Sequence, residues 1–304
     1  MKNSLNHGFE YRTRLGADAA RFKVIDYLAL RHPAFSREEW LARIHSGRVL
    51  LDGIPAEEQQ ALSPGQVLTW IRPSWKEPEV PLSFAILYRD EHLLAVAKPS
   101  GLPTLPAGGL FVENTLLSVV RRHFPAASPL HRLGRGTSGI VLFALSGKAA
   151  AKILQEWRAG GVLKIYRALA SGCPEDDEFT IDTPIGPVPH PILKTVHGAC
   201  PGGKPALSYV KVLERRGSNS LVQVQITTGR THQIRIHLAA AGFPLVGDPL
   251  YESGGIPAID SRALPSDTGY SLHNGLLGFS HPAGGKWVEI TCCPPPPLRI
   301  RGEQ

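Results

Sequence analysis

Apolar residues recur at three- and four-residue steps in two early stretches, and strand-like runs dominate the rest of the chain. In AARFKVIDYLAL, Phe22, Ile25 and Leu28 share one face of a short helix, with Pro33 beyond its end. SREEWLARIHSGRVLLDGIPA comes next. Ser36 and Glu39 have capping-box spacing, Trp40, Leu41 and Ile44 mark a buried face, and Gly47 suits the helix exit. RVLLDG then reads as a strand entering an Asp52-Gly53 turn, and GQVLTWIRP as the returning strand. This pattern predicts a first unit over residues 11–72. PSWKEPEVP, residues 73–81, carries three prolines beside Lys76, Glu77 and Glu79, and reads as a stiffened linker.

The second unit is expected over residues 82–304. FAILYRD and LLAVAKP bracket Glu91-His92 as a hairpin, and GIVLFALS, LKIYRALASG, SYVKVLE and LVQVQIT supply further strands. Helices are predicted at 114–123, 148–158 and 231–241. Runs of strands with a few helices between them predict an α+β class with a mixed or antiparallel sheet, not a regular βα alternation.

Charge sharpens the picture. The 304-residue chain has 33 Lys and Arg against 26 Asp and Glu, a net +7. Between residues 12 and 48 eight basic side chains face four acidic ones, so this short helical stretch carries a local excess of four positive charges. A basic patch of this kind points to nucleic acid. The four cysteines form no CxxC pair and no regular framework, which suits free thiols in a reducing compartment. MKNSLNHGFEYR has no apolar core of a signal peptide, and no apolar run reaches membrane-spanning length. A cytoplasmic protein without membrane contact is expected. No pattern sets an oligomeric state, and a monomer is the working expectation.

The helix–helix–strand pattern with SGRVLLDGIPA resembles the S4 RNA-binding module. That resemblance implies a basic second helix offered to structured RNA, with Arg37, Arg43 and Arg48 as candidate contacts. In the second unit, six ordered segments resemble the RluA-type family of RNA pseudouridine synthases: YRDEHLLAVAKPSGLP, HRLGRGTSGIVLFA, LKIYRALASG, GKPALSYVKVLE, TTGRTHQIRIHLAAAGFPLVGDPLY and LLGFSHPAGGKWVEI. The resemblance implies conversion of uridine to pseudouridine in structured RNA, ribosomal RNA or tRNA, with no cofactor and no metal.

That reaction cleaves N1–C1′, turns the uracil and joins C5 to C1′, so the target base must first leave its stack. By the resemblance, Arg132 stands near the flipped nucleotide, and Tyr166 packs beside the uracil and aids proton loss. By the same resemblance Arg230 corresponds to the arginine that pairs with the family's catalytic aspartate. Arg121, Arg122 and Arg135 add charge suited to phosphate. The departure is Gly134, which stands where the family has that aspartate and has no side chain to act as nucleophile or base. Gly136 stands where the family often has a second polar residue.

Gly134 leaves three readings. Another carboxylate enters the site, with Asp248 and Asp182 as candidates; the chain is a catalytically silent RNA-binding protein; or Gly134 is an engineered or erroneous residue in a competent enzyme. Retention of Arg230 predicts that something anionic meets it, another side chain, an RNA phosphate or a bound anion, because an unpartnered half-buried cation is costly.

Other motifs carry less. GACPGGKP has the glycine and lysine frame of a phosphate loop but Pro205 where a hydroxyl is needed, and it leads into a strand. His197 and Cys200 lack a second ligand pair, and GTSG lacks the frame of a nucleophile elbow.

Overall fold

The computed structural model describes residues 5–32, 35–106 and 109–303, so Pro33 lies outside the described residues. The chain divides into two compact units between Glu77 and Pro78.

The first unit contains β1 (Phe9–Arg14), α1 (Val24–Arg31), α2 (Arg37–His45), β2 (Val49–Leu51), β3 (Ile54–Pro55) and β4 (Val67–Arg72). Its antiparallel sheet has the order β1-β4-β2-β3. The capping box at Ser36 forms: Glu39 N donates to Ser36 Oγ (3.2 Å) and Ser36 N donates to the Glu39 carboxylate (2.7 Å). Trp40 and Ile44 are buried, whereas Leu41 is only partly covered. Asp52 and Gly53 both take positive φ, 52° and 85°, as a tight hairpin turn between right-twisted strands requires. β1 lies partly ahead of the expected start at residue 11. Five of its six residues are exposed, so it shows no apolar alternation to read.

The proline-rich stretch is not a free spacer. Asn6 N donates to Trp75 O (3.0 Å), Asn6 Nδ2 donates to Glu77 Oε1 (2.7 Å), and the Arg72 guanidinium lies 3.5 Å from the Trp75 ring centroid. Val80, beyond the division, packs against the core of the second unit.

That second unit runs β5 (Ala85–Arg89), β6 (Leu93–Lys98), α3 (Leu116–Arg121), β7 (Ser128–Pro129), β8 (Ser138–Ala144), α4 (Gly147–Arg158), β9 (Leu163–Ser171) and β10 (Glu178–Ile181). It continues β11 (Ile185–His190), β12 (Lys194–Ala199), β13 (Ser208–Arg216), β14 (Asn219–Ile226), α5 (Gln233–Ala240), β15 (Leu272–Ser280) and β16 (Trp287–Thr291). One mixed sheet has the order β10-β13-β14-β9-β15-β8-β6-β5, with β16 on β15 and β7 on β8. β15 and β8 are parallel and the other pairs antiparallel. The fold is α+β.

Both faces of the sheet centre are covered. Leu94, Val96, Val141 and Phe143 join α3 and α5 in one core, while Leu93, Ala95, Ile140 and Leu142 join α4 in another. That explains why LLAVAKP and GIVLFALS are continuously apolar and not alternating. Gly139 holds the parallel crossing: its φ is +114°, and a β-carbon there would stand 2.2 Å from Asn274 O. The strand β15 therefore lies directly against the loop that precedes β8. The predicted helices end within two residues of their expected bounds, and α5 starts late because His232, its N-cap, is left-handed at φ 55°. The β11–β12 hairpin is an addition to the sequence reading.

Candidate active site

The loop 131–137 lies at the mouth of a small cleft beside the sheet centre. Gly134, Arg132, Leu133, Thr137, Tyr166, Arg230, His232 and Tyr270 line it together with Arg235, and it encloses about 100 Å³. That is below the ~300–1,000 Å³ of pockets that swallow whole ligands, and it suits one flat ring with the remainder outside.

Two anchors set the loop. Lys98, at the end of β6, is buried, and its Nζ donates to the carbonyls of Pro99 (2.9 Å), Leu102 (2.6 Å) and Arg135 (3.2 Å). Burial, with the Arg135 charge nearby, brings this amine down to about 7. Thr104 Oγ1 donates to Leu133 O (2.9 Å), and Thr137 N donates to Gly134 O (3.1 Å), closing the turn. His131 faces away from the cleft: Leu142 N donates to its Nε2 (3.1 Å), and burial with the nearby Lys164 charge lowers it to about 3.

Tyr166 stands on β9 between β14 and β15, with its ring in the core and its edge on the cleft. Burial pushes its phenol well above the ordinary range, so it enters the site as a neutral hydroxyl. Arg132 is exposed at the rim, and no acid among the described residues pairs with it.

Arg230 follows the turn at the end of β14. Gln233 shapes that turn by accepting from Thr228 Oγ1 (2.7 Å) and Arg230 N (3.0 Å), and by donating to Leu207 O (3.0 Å). The Arg230 guanidinium donates to Pro205 O (3.0 Å). Of the anions expected to meet it, no acidic side chain among the described residues does so, which leaves the rest of its guanidinium to an RNA phosphate or a bound anion.

Neither proposed replacement acid enters the cleft. Asp248 is engaged by Arg235 through two bonds, Nε to Oδ2 (2.6 Å) and Nη2 to Oδ1 (2.7 Å). Asp182 is exposed at the end of β10. Among the described residues, no carboxylate lines the cleft.

His232 has a fixed tautomer. Tyr251 donates its only proton to His197 O (2.7 Å), so the 2.8 Å contact with His232 must be Nδ1–H donating to the phenol oxygen. Nε2 then carries a lone pair. Burial, then the Arg235 charge with smaller effects from its other charged neighbours, lowers this imidazole to about 3 and keeps it neutral.

The remaining arginines separate. Arg135 donates from Nε to Gly101 O (3.1 Å) and lies over Phe111, so it braces the loop. Arg121 donates to Ala127 O (3.0 Å), and Arg122 is exposed; both are outside the cleft. In the first unit Arg37 is exposed and paired with Asp26 (2.6 Å), and Arg48 is exposed. Arg43 differs from the solvated contact expected of it. It sits over Phe35, Trp40 and Trp70, at 4.1, 4.8 and 5.4 Å from the ring centroids, with the Glu39 carboxylate 3.6 Å away, so rings and an acid one helical turn back cover most of the cation.

Tyr270, two residues before β15, had no place in the sequence reading, since DTGYSLHNG matches none of the family segments. The two glycines at 134 and 136 were the available signal: space was vacated there for something.

A sequence profile for RNA pseudouridylate synthase matches residues 92–240. An uncharacterized RNA pseudouridine synthase of Synechocystis is 42% identical over 277 residues, covering 90% of this chain and 95% of that protein. Ribosomal large subunit pseudouridine synthase D of Neisseria meningitidis is 36% identical, covering 86% and 73%. Among solved structures, human RNA pseudouridylate synthase domain containing 1 is 28% identical with a TM-score of 0.57, covering 73% of this chain and 89% of that one. With these lengths and identities, the chain belongs to the RNA pseudouridine synthase family.

Proposed function

We propose that this protein converts uridine to pseudouridine within structured RNA, ribosomal RNA in the first place and tRNA in the second. The observation that carries the proposal is the cleft beside Gly134, which gathers a neutral phenol, Tyr166, with two guanidiniums, Arg132 and Arg230, at a size fit for one pyrimidine. A base turned out of its stack enters there, Arg132 fills the gap or holds the phosphate, and Tyr166 lies beside the uracil. Arg121, Arg122, Arg230 and the exposed Arg37 and Arg48 supply charge toward the RNA backbone.

We assign residues 11–72 as an S4-like RNA-binding unit. The net charge of its helical part and the two exposed arginines on or beside α2 support that reading. A cytoplasmic monomer without cofactor fits the same picture; among the described residues no helix is long and apolar enough to cross a membrane.

One observation favours a second reading, a catalytically silent RNA-binding protein of the same fold: no carboxylate among the described residues lines the cleft. Single-turnover incubation with deproteinised ribosomal RNA and total tRNA, with pseudouridine mapped by chemical labelling, separates the two. Product at a defined uridine is the expected result. Tight binding without product at any site would establish the silent reading.

A further inference from the structure

Gly134 and Gly136 both face the side chain of Tyr270. A β-carbon on Gly134 would stand 3.0 Å from Tyr270 Oη, and one on Gly136 would stand 2.9 Å from Cζ and 3.0 Å from Cε1. Neither glycine has a positive φ, so space and not backbone conformation limits a side chain: at 136 the ring itself would have to shift, and at 134 the contact with Oη would be tight. The ring is held firmly. Gly247 and Gly269 lie so close that a β-carbon on either would stand 2.5 or 2.6 Å from the other's carbonyl oxygen. Arg235, fixed by Asp248, places its guanidinium carbon 4.4 Å from the Tyr270 ring centroid. The ring is 5% exposed, yet it lines the cleft. Its hydroxyl makes one long contact, 3.4 Å to Thr137 Oγ1, and is otherwise available to an entering nucleotide.

We propose that Tyr270 is the nucleophile of this chain, with its Oη acting from the space that a side chain at position 134 would occupy. This rests on the isomerase reading. The chemistry balances without a carboxylate. Oη bonds to C1′ as N1–C1′ breaks, the electron pair of that bond stays on the uracil, and the phenolic proton passes to N1. The uracil turns, C5 attacks C1′, and the C1′–Oη bond breaks with its pair left on the tyrosine. The C5 proton then returns to Oη. Uracil has gained a proton at N1 and lost one at C5, and the phenol is restored. Tyrosine is among the side chains that form covalent intermediates, including at the anomeric carbon of sugars. Oη is the side-chain atom nearest the vacated position, closer than Thr137 Oγ1 at 3.5 Å.

The test compares the unaltered chain with Tyr270→Phe, Gly134→Asp and the double variant Gly134→Asp/Tyr270→Phe on deproteinised ribosomal RNA and total tRNA. Phenylalanine keeps the packing and removes only the hydroxyl, and removal of the hydroxyl clears the one close contact at position 134. Tyr270→Phe is expected to lose product by about 10³-fold or more, with RNA affinity and unfolding midpoint unchanged. Gly134→Asp is expected to be impaired, and the double variant to regain product. Pseudouridine from Tyr270→Phe at the unaltered rate would overturn the proposal and leave the isomerase reading intact. No product from the unaltered chain, with product from the double variant, would overturn both.

Discussion

Arg235 and Asp248 form a two-bond ion pair at 2.6 and 2.7 Å, with side chains only 2% and 1% exposed. The same carboxylate accepts from Leu250 N (3.0 Å) and Tyr251 N (3.1 Å), so it ties α5 to the loop after it. Removing one partner of a buried pair strands the other charge, at about 3–5 kcal/mol. Asp248→Asn is therefore expected to lower unfolding free energy by that amount in urea titration. Arg230→Ala, which gives up only a carbonyl contact, should cost about 0.5 kcal/mol or less. Equal costs for the two would mean that the buried pair is not the brace described.

Arginines that look alike in sequence should separate by salt dependence. Arg132 stands exposed at the cleft, whereas Arg43 is enclosed by Phe35, Trp40 and Trp70. A lost phosphate contact reduces the slope of log affinity against log salt by about 1. Arg132→Ala is expected to weaken RNA binding and reduce the slope by that amount. Arg43→Ala should leave the slope unchanged and destabilise the first unit by about 1–2 kcal/mol. Filter binding across a salt series, with thermal unfolding alongside, checks both.

This contrast shows what was legible in the sequence. Short-range patterns carried through: the Ser36–Glu39 box, the Asp52-Gly53 turn and the apolar runs of β6 and β8 depend on neighbours in the chain. Partnerships across the chain did not. Asp248 looked available as an acid because its partner lies 13 residues away on a helix. Arg43 looked like surface charge because its aromatic neighbours include Trp70, on another strand. Tyr270 lies more than 130 residues from the loop it fills, and only its packing shows why that loop has two glycines.

Acid should weaken the fold through two imidazoles. His131 and His232 are held down to about 3, whereas unfolded histidine titrates near 6.5. Between those values the unfolded chain binds more protons, so stability falls as pH is lowered from about 6.5 toward 3. Each ring contributes a slope of at most about 1.4 kcal/mol per pH unit. Urea unfolding at pH 7, 6, 5 and 4 should show the decline, and His232→Gln should flatten it. An unchanged slope in that variant would show that His232 is already protonated in the fold.

At the alkaline side Lys98 acts in the same sense, in a higher pH window. Its folded value of about 7 lies well below the usual 10.5. From about pH 7 upward the unfolded chain holds a proton that the folded chain gives up, so this group makes stability rise with pH, by at most about 1.4 kcal/mol per unit. The effect is expected between pH 7 and 8.5. Lys98→Met should abolish the rise, and its loss of three carbonyl partners should cost on the order of 1–3 kcal/mol for each acceptor left dry. Because Nζ joins the 99–102 turn to the carbonyl of Arg135, the variant should also loosen the loop that carries Gly134. Hydrogen exchange reports this directly: Thr137 N, bonded to Gly134 O, should exchange faster, while amides of β13 and β14 keep their protection. Uniform loss of protection across the second unit would mean that Lys98 serves global stability and not the loop.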